Sequence, residues 1–332
     1  MRIKNLFIAP AMLLVLTGVV ACGSSKKSED TQTTEKKVVI KAPAFDADSA
    51  YAYVKTQIDF GPRVPNTPAH RNCGEYLANQ LESFGARVYN QYADLEAWDG
   101  TILKARNIIG AYNPDNKKRI MLCAHWDSRP YADYDADEKN HKKPIDGAND
   151  GASGVGVLLE IARQIQKETP AVGIDIIFFD AEDYGTPAWH RGTYKPHDWC
   201  LGSQYWGRTP HVQGYFARYG ILLDMVGGHN AKFYKEYFSI QNAPSLVDKV
   251  WSVAAQSGYE NYFLPQIGGA VTDDHVELLK VGIPAINIIE FHPTNGFNPT
   301  WHTTNDNMTA ISKETLKAVG QTVINYIYEQ SE

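Results

Sequence analysis

The sequence predicts an α/β protein, a three-layer α/β/α sandwich around a central mixed, mostly parallel sheet. Strand-like apolar stretches alternate with segments of helical apolar spacing over most of the chain, and this alternation is typical of parallel strands joined by helices. The segment 174–180 (IDIIFFD) is apolar almost throughout, as expected of a strand covered on both faces. The hydrophobic and charged fractions, 43% and 21%, are those of an ordinary globular protein.

The predicted elements follow one another without an internal repeat or a second linker. The second helix carries Tyr76, Leu77, Leu81 and Phe84 with helical spacing, and Gly85 is placed to end it. A polar, acidic stretch without periodicity predicts a surface loop at 131–143. Helices are predicted at 49–59, 69–84, 151–166, 245–255 and 313–328, and strands at 86–92, 107–112, 119–124, 174–180, 219–224 and 285–289.

The N-terminal 22 residues have the features of a targeting segment. Arg2 and Lys4 precede an apolar run over 6–20, which is shorter than the roughly 20 residues of a membrane-spanning helix and fits a signal peptide. The run ends in Val-Val-Ala-Cys, which resembles a bacterial lipobox, so we expect lipidation at Cys22. This predicts an exported lipoprotein that is anchored to the membrane and faces the periplasm of a Gram-negative bacterium, or the cell surface. Ordinary signal-peptidase cleavage or an uncleaved anchor is the alternative.

The remaining chain divides into a flexible tether over 23–43 and a single catalytic domain over 44–332, because 23–37 is rich in Ser, Thr, Lys and Glu and lacks apolar periodicity. We expect a monomer. The net charge of −6 gives no electrostatic case for binding nucleic acid. Of the four cysteines, a lipidated Cys22 leaves an odd number, so at most one internal disulfide can form.

Carboxylates and histidines follow several of the predicted strands. His125, the pair Glu182-Asp183 and Asp224 lie at strand ends, where ligands collect in such sheets. Each has a simpler interpretation, such as a pair of surface carboxylates. Together, however, carboxylates crowded at one edge of a sheet would repel one another unless a cation or shared protons held them.

Two further residues complete a candidate metal site. Asp150 precedes a predicted helix start, and His302 lies in a loop rich in Gly, Pro and Asn. Taken singly, Asp150 would be an ordinary N-cap, and His302 a solvated loop residue. Two carboxylates and a histidine with an open fourth position, however, can hold a catalytic zinc. Because successive residues of a strand point in opposite directions, one of Glu182 and Asp183 could bind the metal while the other faces the substrate as a general base.

Seven segments resemble the zinc aminopeptidase-type fold and, within it, the glutaminyl cyclases. They occur in the family's order between residues 60 and 328 and are FGPR (60–63), AHWDS (124–128), GANDGASGVGVLLEIAR (147–163), FFDAED (178–183), LLDMVG (222–227), DDH (273–275) and WHTTNDN (301–307). The resemblance implies that Asp150, Asp183 and His302 bind a single zinc ion and that Glu182 is the catalytic acid–base residue.

The same resemblance implies further roles around that site. Asp224 and Asp273 match the two carboxylates of the active-site hydrogen-bond network, and Phe297 and Trp301 match aromatic residues of the glutamine pocket. Trp189 is a further match, although its spacing from Glu182 differs by one residue. The animal enzymes have Glu-Glu where this chain has Glu-Asp, and no cysteine pair matches their disulfide, so the resemblance is to the bacterial branch and no disulfide is expected.

The activity implied is conversion of the N-terminal glutamine of peptides and proteins to pyroglutamate, with release of ammonia. The first alternative is a two-zinc aminopeptidase, in which His125, Asp150, Asp183, Asp224 and His302 would be the ligands and Glu182 would activate a water molecule. The segment DDH (273–275) and Trp301 favour the cyclase, because they provide an extra carboxylate and a closed pocket. The second alternative is a non-catalytic binding lipoprotein, which an intact ligand set beside an acid–base residue disfavours.

Overall fold

A six-stranded sheet forms the centre of the described part of the chain, which in this computed structural model comprises residues 42–193, 195 and 197–330. The strand order is β1-β2-β4-β3-β5-β8. The neighbours β3, β4, β5 and β8 run parallel, whereas β2 is antiparallel to both β1 and β4. The predicted mixed, mostly parallel sheet is therefore confirmed. Its strands are β1 (Arg87–Glu96), β2 (Ile102–Tyr112), β3 (Arg119–His125), β4 (Gly173–Phe179), β5 (Gly220–Asp224) and β8 (Ala285–Ile289).

Helices cover both faces of this sheet. Successive residues of β3 alternate between two hydrophobic clusters, with Ile120 and Leu122 in the larger one and Met121 and Cys123 in the smaller one, which includes Trp206. This alternation is the period-2 pattern of a strand buried on both sides. The helices are α1 (Ala47–Asp59), α2 (Pro68–Ser83), α3 (Ala152–Lys167), α4 (Leu201–Arg208), α5 (Tyr237–Asn242), α6 (Pro244–Gln256), α7 (Asp274–Lys280) and α8 (Lys313–Glu329).

The α3 helix packs very closely on the sheet. A Cβ atom added to Gly154 would lie 2.1 Å from the backbone oxygen of Leu223 in β5, so no larger residue fits at this position without movement of the backbone. The close approach brings the first turn of α3 beside the carboxyl end of β5. Asp150, just before the helix, and Asp224, the last residue of β5, consequently lie near each other.

Several elements differ from their prediction. β1 and β2 are longer than expected because they form an edge hairpin whose outer parts carry charged, exposed residues such as Asp94 and Lys104, which disrupt an apolar pattern. The helices α4, α5 and α7 are too short for a clear helical period. Four short strands were not predicted: β6 (Phe233–Lys235), β7 (Phe263–Ile267), β9 (Phe291–His292) and β10 (Gly296–Phe297).

The predictions for the N-terminus concern residues that the structure does not describe. The signal peptide over 1–22, the lipidation site Cys22 and the tether as far as residue 41 lie outside the described residues. Among the helices of residues 42–330 as described, none combines the length and apolarity that crossing a membrane requires. The described cysteines, Cys73, Cys123 and Cys200, are all buried free thiols.

Candidate active site and metal centre

Three side chains form a compact cluster of metal-ligand atoms at the carboxyl edge of the sheet. Ligand atoms of Asp150, Asp183 and His302 all lie within 4.8 Å of one another. The Nε2 atom of His302 is 3.2 Å from Asp183 Oδ1 and 3.5 Å from Asp150 Oδ2. Asp150 Oδ2 and Asp183 Oδ2 are buried and accept no hydrogen bond from any described residue. Since buried polar atoms are normally satisfied, these oxygens and the two-carboxylate, one-imidazole donor set fit a zinc ion.

Asp150 is held in this cluster by its backbone. The residue that caps α3 is Gly151, which has a φ of 99° and no side-chain capping bond, so the simpler interpretation of Asp150 as a helix N-cap is wrong. Asp306 instead accepts the backbone N–H groups of Asn149 and Asp150, with distances of 2.7 and 3.0 Å to its two oxygens. The carboxylate of Asp150 therefore remains available to a metal.

Glu182 and Asp183 are positioned by a bend rather than by the strand itself. β4 ends at Phe179, and Ala181 adopts a positive φ of 52°, so strand alternation does not explain how the two side chains separate. Asp127 accepts both of their backbone N–H groups, at 3.1 Å each. This buried carboxylate, which no sequence pattern singles out, fixes the direction in which the pair leaves the bend.

His302 lies between aromatic rings. It adopts a positive φ of 54°, and its imidazole stacks on the ring of Trp301 with centroids 3.6 Å apart. The ring of Trp199 is parallel to the imidazole within 4°, at a centroid distance of 6.0 Å. These contacts restrict the imidazole to the orientation in which Nε2 faces the two carboxylates.

A second cluster shares Asp150 with the first. His125 Nε2 is 3.0 Å from Asp150 Oδ1 and 3.2 Å from Asp224 Oδ1. Ligand atoms of the three residues lie within 4.8 Å of one another, so the arrangement offers a position for either a proton or a second metal ion. The carboxylate of Asp150 thus faces His302 with one oxygen and His125 with the other.

Glu182 faces another carboxylate, that of Asp273. Ligand atoms of Glu182, Asp273 and Cys200 lie within 4.8 Å of one another, and the Cys200 thiol donates to Glu182 Oε1 at 3.3 Å. Asn287 donates to Asp273 Oδ2 at 2.6 Å. Burial, and after it the charge of Asp224, raises the pKa of Asp273 to about 7. Burial likewise raises the pKa of Glu182 well above its usual range, as expected where several acidic groups are crowded together away from solvent.

These carboxylates line a cavity of about 350 Å³. Phe297 and Trp301, which the sequence placed in the substrate pocket, form part of its wall and stack on each other with centroids 4.2 Å apart. Trp189 is not among the described residues that line the cavity; its ring contacts Tyr131 and stacks on His141. The tryptophan that lines the cavity is Trp199, so the assignment of Trp189 to the pocket is corrected.

The sequence of the chain matches a known family over most of the described domain. Residues 107–327 match the model of peptidase family M28. The chain belongs to this family. Residues Asp150, Asp183, His302, His125 and Asp224 all fall inside the matched range, and so do Glu182 and Asp273.

Several solved structures share this fold with high similarity to the chain. The glutaminyl cyclase of Bacteroides thetaiotaomicron, solved with bound N-acetylhistamine, is 63% identical, with a TM-score of 0.86 over 87% of this chain and 99% of that one. A Zn-dependent exopeptidase from Parabacteroides distasonis is 58% identical, also with a TM-score of 0.86 over 87% of this chain and 99% of that one. The fold class predicted from the sequence is therefore confirmed, and so is the resemblance to bacterial glutaminyl cyclases.

A curated relative, the glutaminyl-peptide cyclotransferase of Bos taurus, is 25% identical over 257 residues, which are 67% of this chain. The match spans 65% of the length of the bovine protein.

Proposed function

We propose that the chain is a zinc-dependent glutaminyl-peptide cyclotransferase, which converts the N-terminal glutamine of peptides and proteins to pyroglutamate and releases ammonia. The observation that carries the proposal is the position of Glu182 and Asp273, whose carboxylate oxygens lie within 4.8 Å of each other in the wall of the cavity that the Asp150–Asp183–His302 triad also lines. An acid–base carboxylate next to a metal site, with a second carboxylate opposite it, suits a reaction that moves a proton between two nitrogens of one substrate.

Glu182 serves first as a base and then as an acid. The substrate's α-amine nitrogen forms a bond to the carbon of its own side-chain amide, and Glu182 accepts a proton from that nitrogen. The bond between the amide carbon and its nitrogen then breaks, and Glu182 returns the proton so that ammonia leaves. Asp150, Asp183 and His302 would hold a zinc ion, which would supply Lewis-acid polarisation of the amide carbonyl. We propose one zinc ion per chain.

Asp273 and the aromatic wall hold the substrate during this transfer. The side chain of Asp273, fixed by Asn287 and protonated over part of the neutral range because its pKa is about 7, is placed to hydrogen-bond the departing nitrogen. Phe297 and Trp301 cover the cavity with apolar surface. Because the nucleophile is part of the substrate, the exclusion of water by this wall favours cyclisation over hydrolysis.

A second candidate function, a two-zinc aminopeptidase, is favoured by the cluster of His125, Asp150 and Asp224. In that enzyme Glu182 would take a proton from a water molecule instead of from the substrate amine. The two functions differ in both metal content and product, and a non-catalytic binding lipoprotein would give neither product.

The test is an assay of the purified chain on a Gln-led fluorogenic substrate beside a Leu-led one, with ammonia and zinc measured on the same sample. We expect ammonia release from the Gln-led substrate, no cleavage of the Leu-led one, and one equivalent of zinc. Glu182→Gln should retain zinc and lose roughly 100- to 10,000-fold in kcat. Intact cyclisation in Glu182→Gln would contradict the mechanism, and cleavage of the Leu-led substrate with two equivalents of zinc would favour the aminopeptidase.

We also propose that the enzyme acts as a monomer on exported peptides while tethered to a membrane by a lipid on Cys22. The support is the sequence pattern of residues 1–22. Metabolic labelling with a radioactive fatty acid should mark the wild type and not Cys22→Ser. Labelling of Cys22→Ser, or release of the wild type into the soluble fraction, would contradict the anchor.

A further inference from the structure

A buried ion pair outside the triad contacts two of the three candidate zinc ligands. Arg129 and Asp133 are 1% and 5% exposed, and the proposed reaction gives neither of them a role. The Nε and Nη2 atoms of Arg129 donate to the two carboxylate oxygens of Asp133 at 2.7 and 2.6 Å. This is the bidentate geometry that only a planar guanidinium provides.

The arginine end of the pair holds Asp183. The third guanidinium nitrogen of Arg129, Nη1, donates to the backbone oxygen of Asp183 at 2.9 Å and lies 3.3 Å from the Oδ1 atom of the same residue. One nitrogen atom therefore contacts both the backbone and the side chain of a metal ligand. Because the other two nitrogens are held by Asp133, the guanidinium cannot follow Asp183 if that residue moves.

The aspartate end of the pair faces His302. Nε2 of this histidine points at Asp183 Oδ1, so Nδ1 must carry the ring hydrogen when Nε2 binds a metal. Nδ1 has no hydrogen-bond partner of ordinary geometry among the described residues, and Asp133 Oδ1 lies 3.5 Å from it. A carboxylate that accepts from the distal nitrogen of a metal-bound histidine fixes the tautomer and makes the imidazole a better ligand.

Trp199 packs against both Arg129 and His302. Its ring lies 4.6 Å from the guanidinium carbon of Arg129 and is parallel to the imidazole of His302. The arginine and the histidine therefore pack against one rigid aromatic side chain, which limits their alternative rotamers.

We propose that Arg129 and Asp133 are positioning residues that join Asp183 to His302, hold the two ligands at the separation that zinc requires, and thereby raise the affinity of the site for zinc. The proposal rests on the zinc site and not on the reaction, so it can hold even if the cyclase activity does not.

A purely structural role is the competing explanation. Asp133 also accepts the backbone N–H of Ala188 at 2.8 Å, and a buried ion pair that loses one partner destabilises a fold wherever it lies. The chain contains a matched control for this effect. Arg119 donates from Nε and Nη2 to the two oxygens of Asp175 at 2.8 and 2.5 Å. Asp175 is 1% exposed, and Arg119 begins β3, at the opposite end of the strand from His125.

The test compares Asp133→Asn with Asp175→Asn. For each metal-free variant, zinc affinity is measured by competition with a chelator, thermal unfolding is measured on the same sample, and the visible spectrum is recorded after Co²⁺ is added. Both substitutions should lower the melting temperature. Only Asp133→Asn should weaken zinc binding, by roughly 10- to 100-fold, and change the Co²⁺ spectrum. Equal zinc affinities in the two variants and the wild type, within about twofold, would overturn the proposal.

A second variant keeps the test decisive if metal-free Asp133→Asn does not fold. Arg129→Lys retains the charge and loses the planar fork. The rate of zinc release from the holoprotein into excess chelator should be faster for Arg129→Lys than for Arg119→Lys. Equal release rates in these two lysine variants would overturn the proposal. If zinc release is faster from Arg129→Lys than from Arg119→Lys but the wild type shows no cyclase activity, the positioning role of Arg129 and Asp133 is supported. Only the proposed function is then contradicted.

Discussion

The carboxylate of Asp127 accepts the backbone N–H of Glu182, with 3.1 Å between Oδ1 and the nitrogen. The other oxygen of Asp127 accepts the N–H of the next residue at the same distance. A fully buried carboxylate thus orients the bend that carries both the proposed acid–base residue and a candidate zinc ligand. The geometry of the candidate site at this point depends on a residue that is not among the described residues lining the cavity.

Asp127→Asn should therefore reduce activity without removing the zinc ligands. An asparagine has only one acceptor oxygen, so one of the two backbone N–H groups loses its partner. We expect kcat to fall about 10- to 100-fold, as for other residues that orient a metal site, and the free energy of unfolding to fall by about 1–3 kcal/mol. Steady-state kinetics and urea unfolding measure the two effects.

The control for this prediction is Asp99→Asn. Asp99 also accepts a backbone N–H, that of Thr101 at 2.9 Å, but in an exposed turn. The control should keep wild-type kcat. Wild-type kcat in Asp127→Asn would show that the bend holds its shape without the carboxylate.

Asp183→Asn and Asp224→Asn should separate the one-zinc and two-zinc interpretations. If zinc is bound by Asp150, Asp183 and His302 alone, Asp183→Asn loses most of its zinc because a neutral amide replaces one of two anionic ligands. Asp224→Asn should then keep one equivalent of zinc and lose activity. Elemental analysis after dialysis measures the zinc content of the two variants, and the assay on the Gln-led substrate measures their activity. A loss of one of two equivalents in Asp224→Asn would instead indicate a second metal between His125 and Asp224.

Phe297→Ala should weaken substrate binding more than it slows the chemical step. The ring stacks on Trp301 at 4.2 Å and lines the cavity, but it carries no group that can accept or donate a proton. Loss of an aromatic contact of about 0.5–1.5 kcal/mol predicts a KM about 2- to 10-fold higher. Phe216→Ala, at a phenylalanine that is 63% exposed and does not line this cavity, is the control. A fall in kcat with unchanged KM would contradict the assignment of Phe297 to binding.

The sequence predicted the long helices, the central strands and the residues at strand ends well, because all of these depend on local patterns. β3, β4 and β8 are apolar on both faces, and because they are parallel their carboxyl ends meet at one edge of the sheet. This does not depend on the conformations of the loops. The proximity of His125 and Asp224 follows from that topology, because β3 and β5 are neighbours, whereas Asp150 is brought beside them by the close packing of α3 on β5. The assignment of roles among them did not follow from pattern and required the resemblance to a family.

Loop residues were harder to place, because their positions depend on contacts that are distant in sequence. The loop between β4 and α4 contains both Trp189 and Trp199, and the family resemblance pointed to Trp189 although its spacing from Glu182 differs by one residue. In the structure Cys200 donates its backbone N–H to the Glu182 carbonyl at 2.9 Å, which brings the adjacent Trp199 beside the site. Asp127 was missed for a similar reason: its function is to accept two N–H groups from a bend about fifty residues further along the chain.

Glu290→Gln should change how stability depends on pH. Burial raises the pKa of Glu290 to about 7 from a usual value of 4.5, although Asn298 donates a hydrogen bond to it. Between these two values the folded state holds a proton that the unfolded state has released, so wild-type stability falls as the pH rises from about 4.5 to about 7. Glutamine cannot ionise and its amide oxygen can still accept from Asn298, so this loss disappears in the variant.

We expect the free energy of unfolding of Glu290→Gln, relative to wild type, to increase by about 1 kcal/mol between pH 4.5 and pH 8, since partial exposure of the side chain reduces the full effect of the pKa shift. Urea unfolding at a series of pH values measures the difference. Glu82→Gln, at an exposed position on α2, should show no such trend. A relative stability of Glu290→Gln that stays constant or falls across this range would mean that Glu290 is ionised in the folded protein throughout, and that Asn298 and solvent together offset its burial.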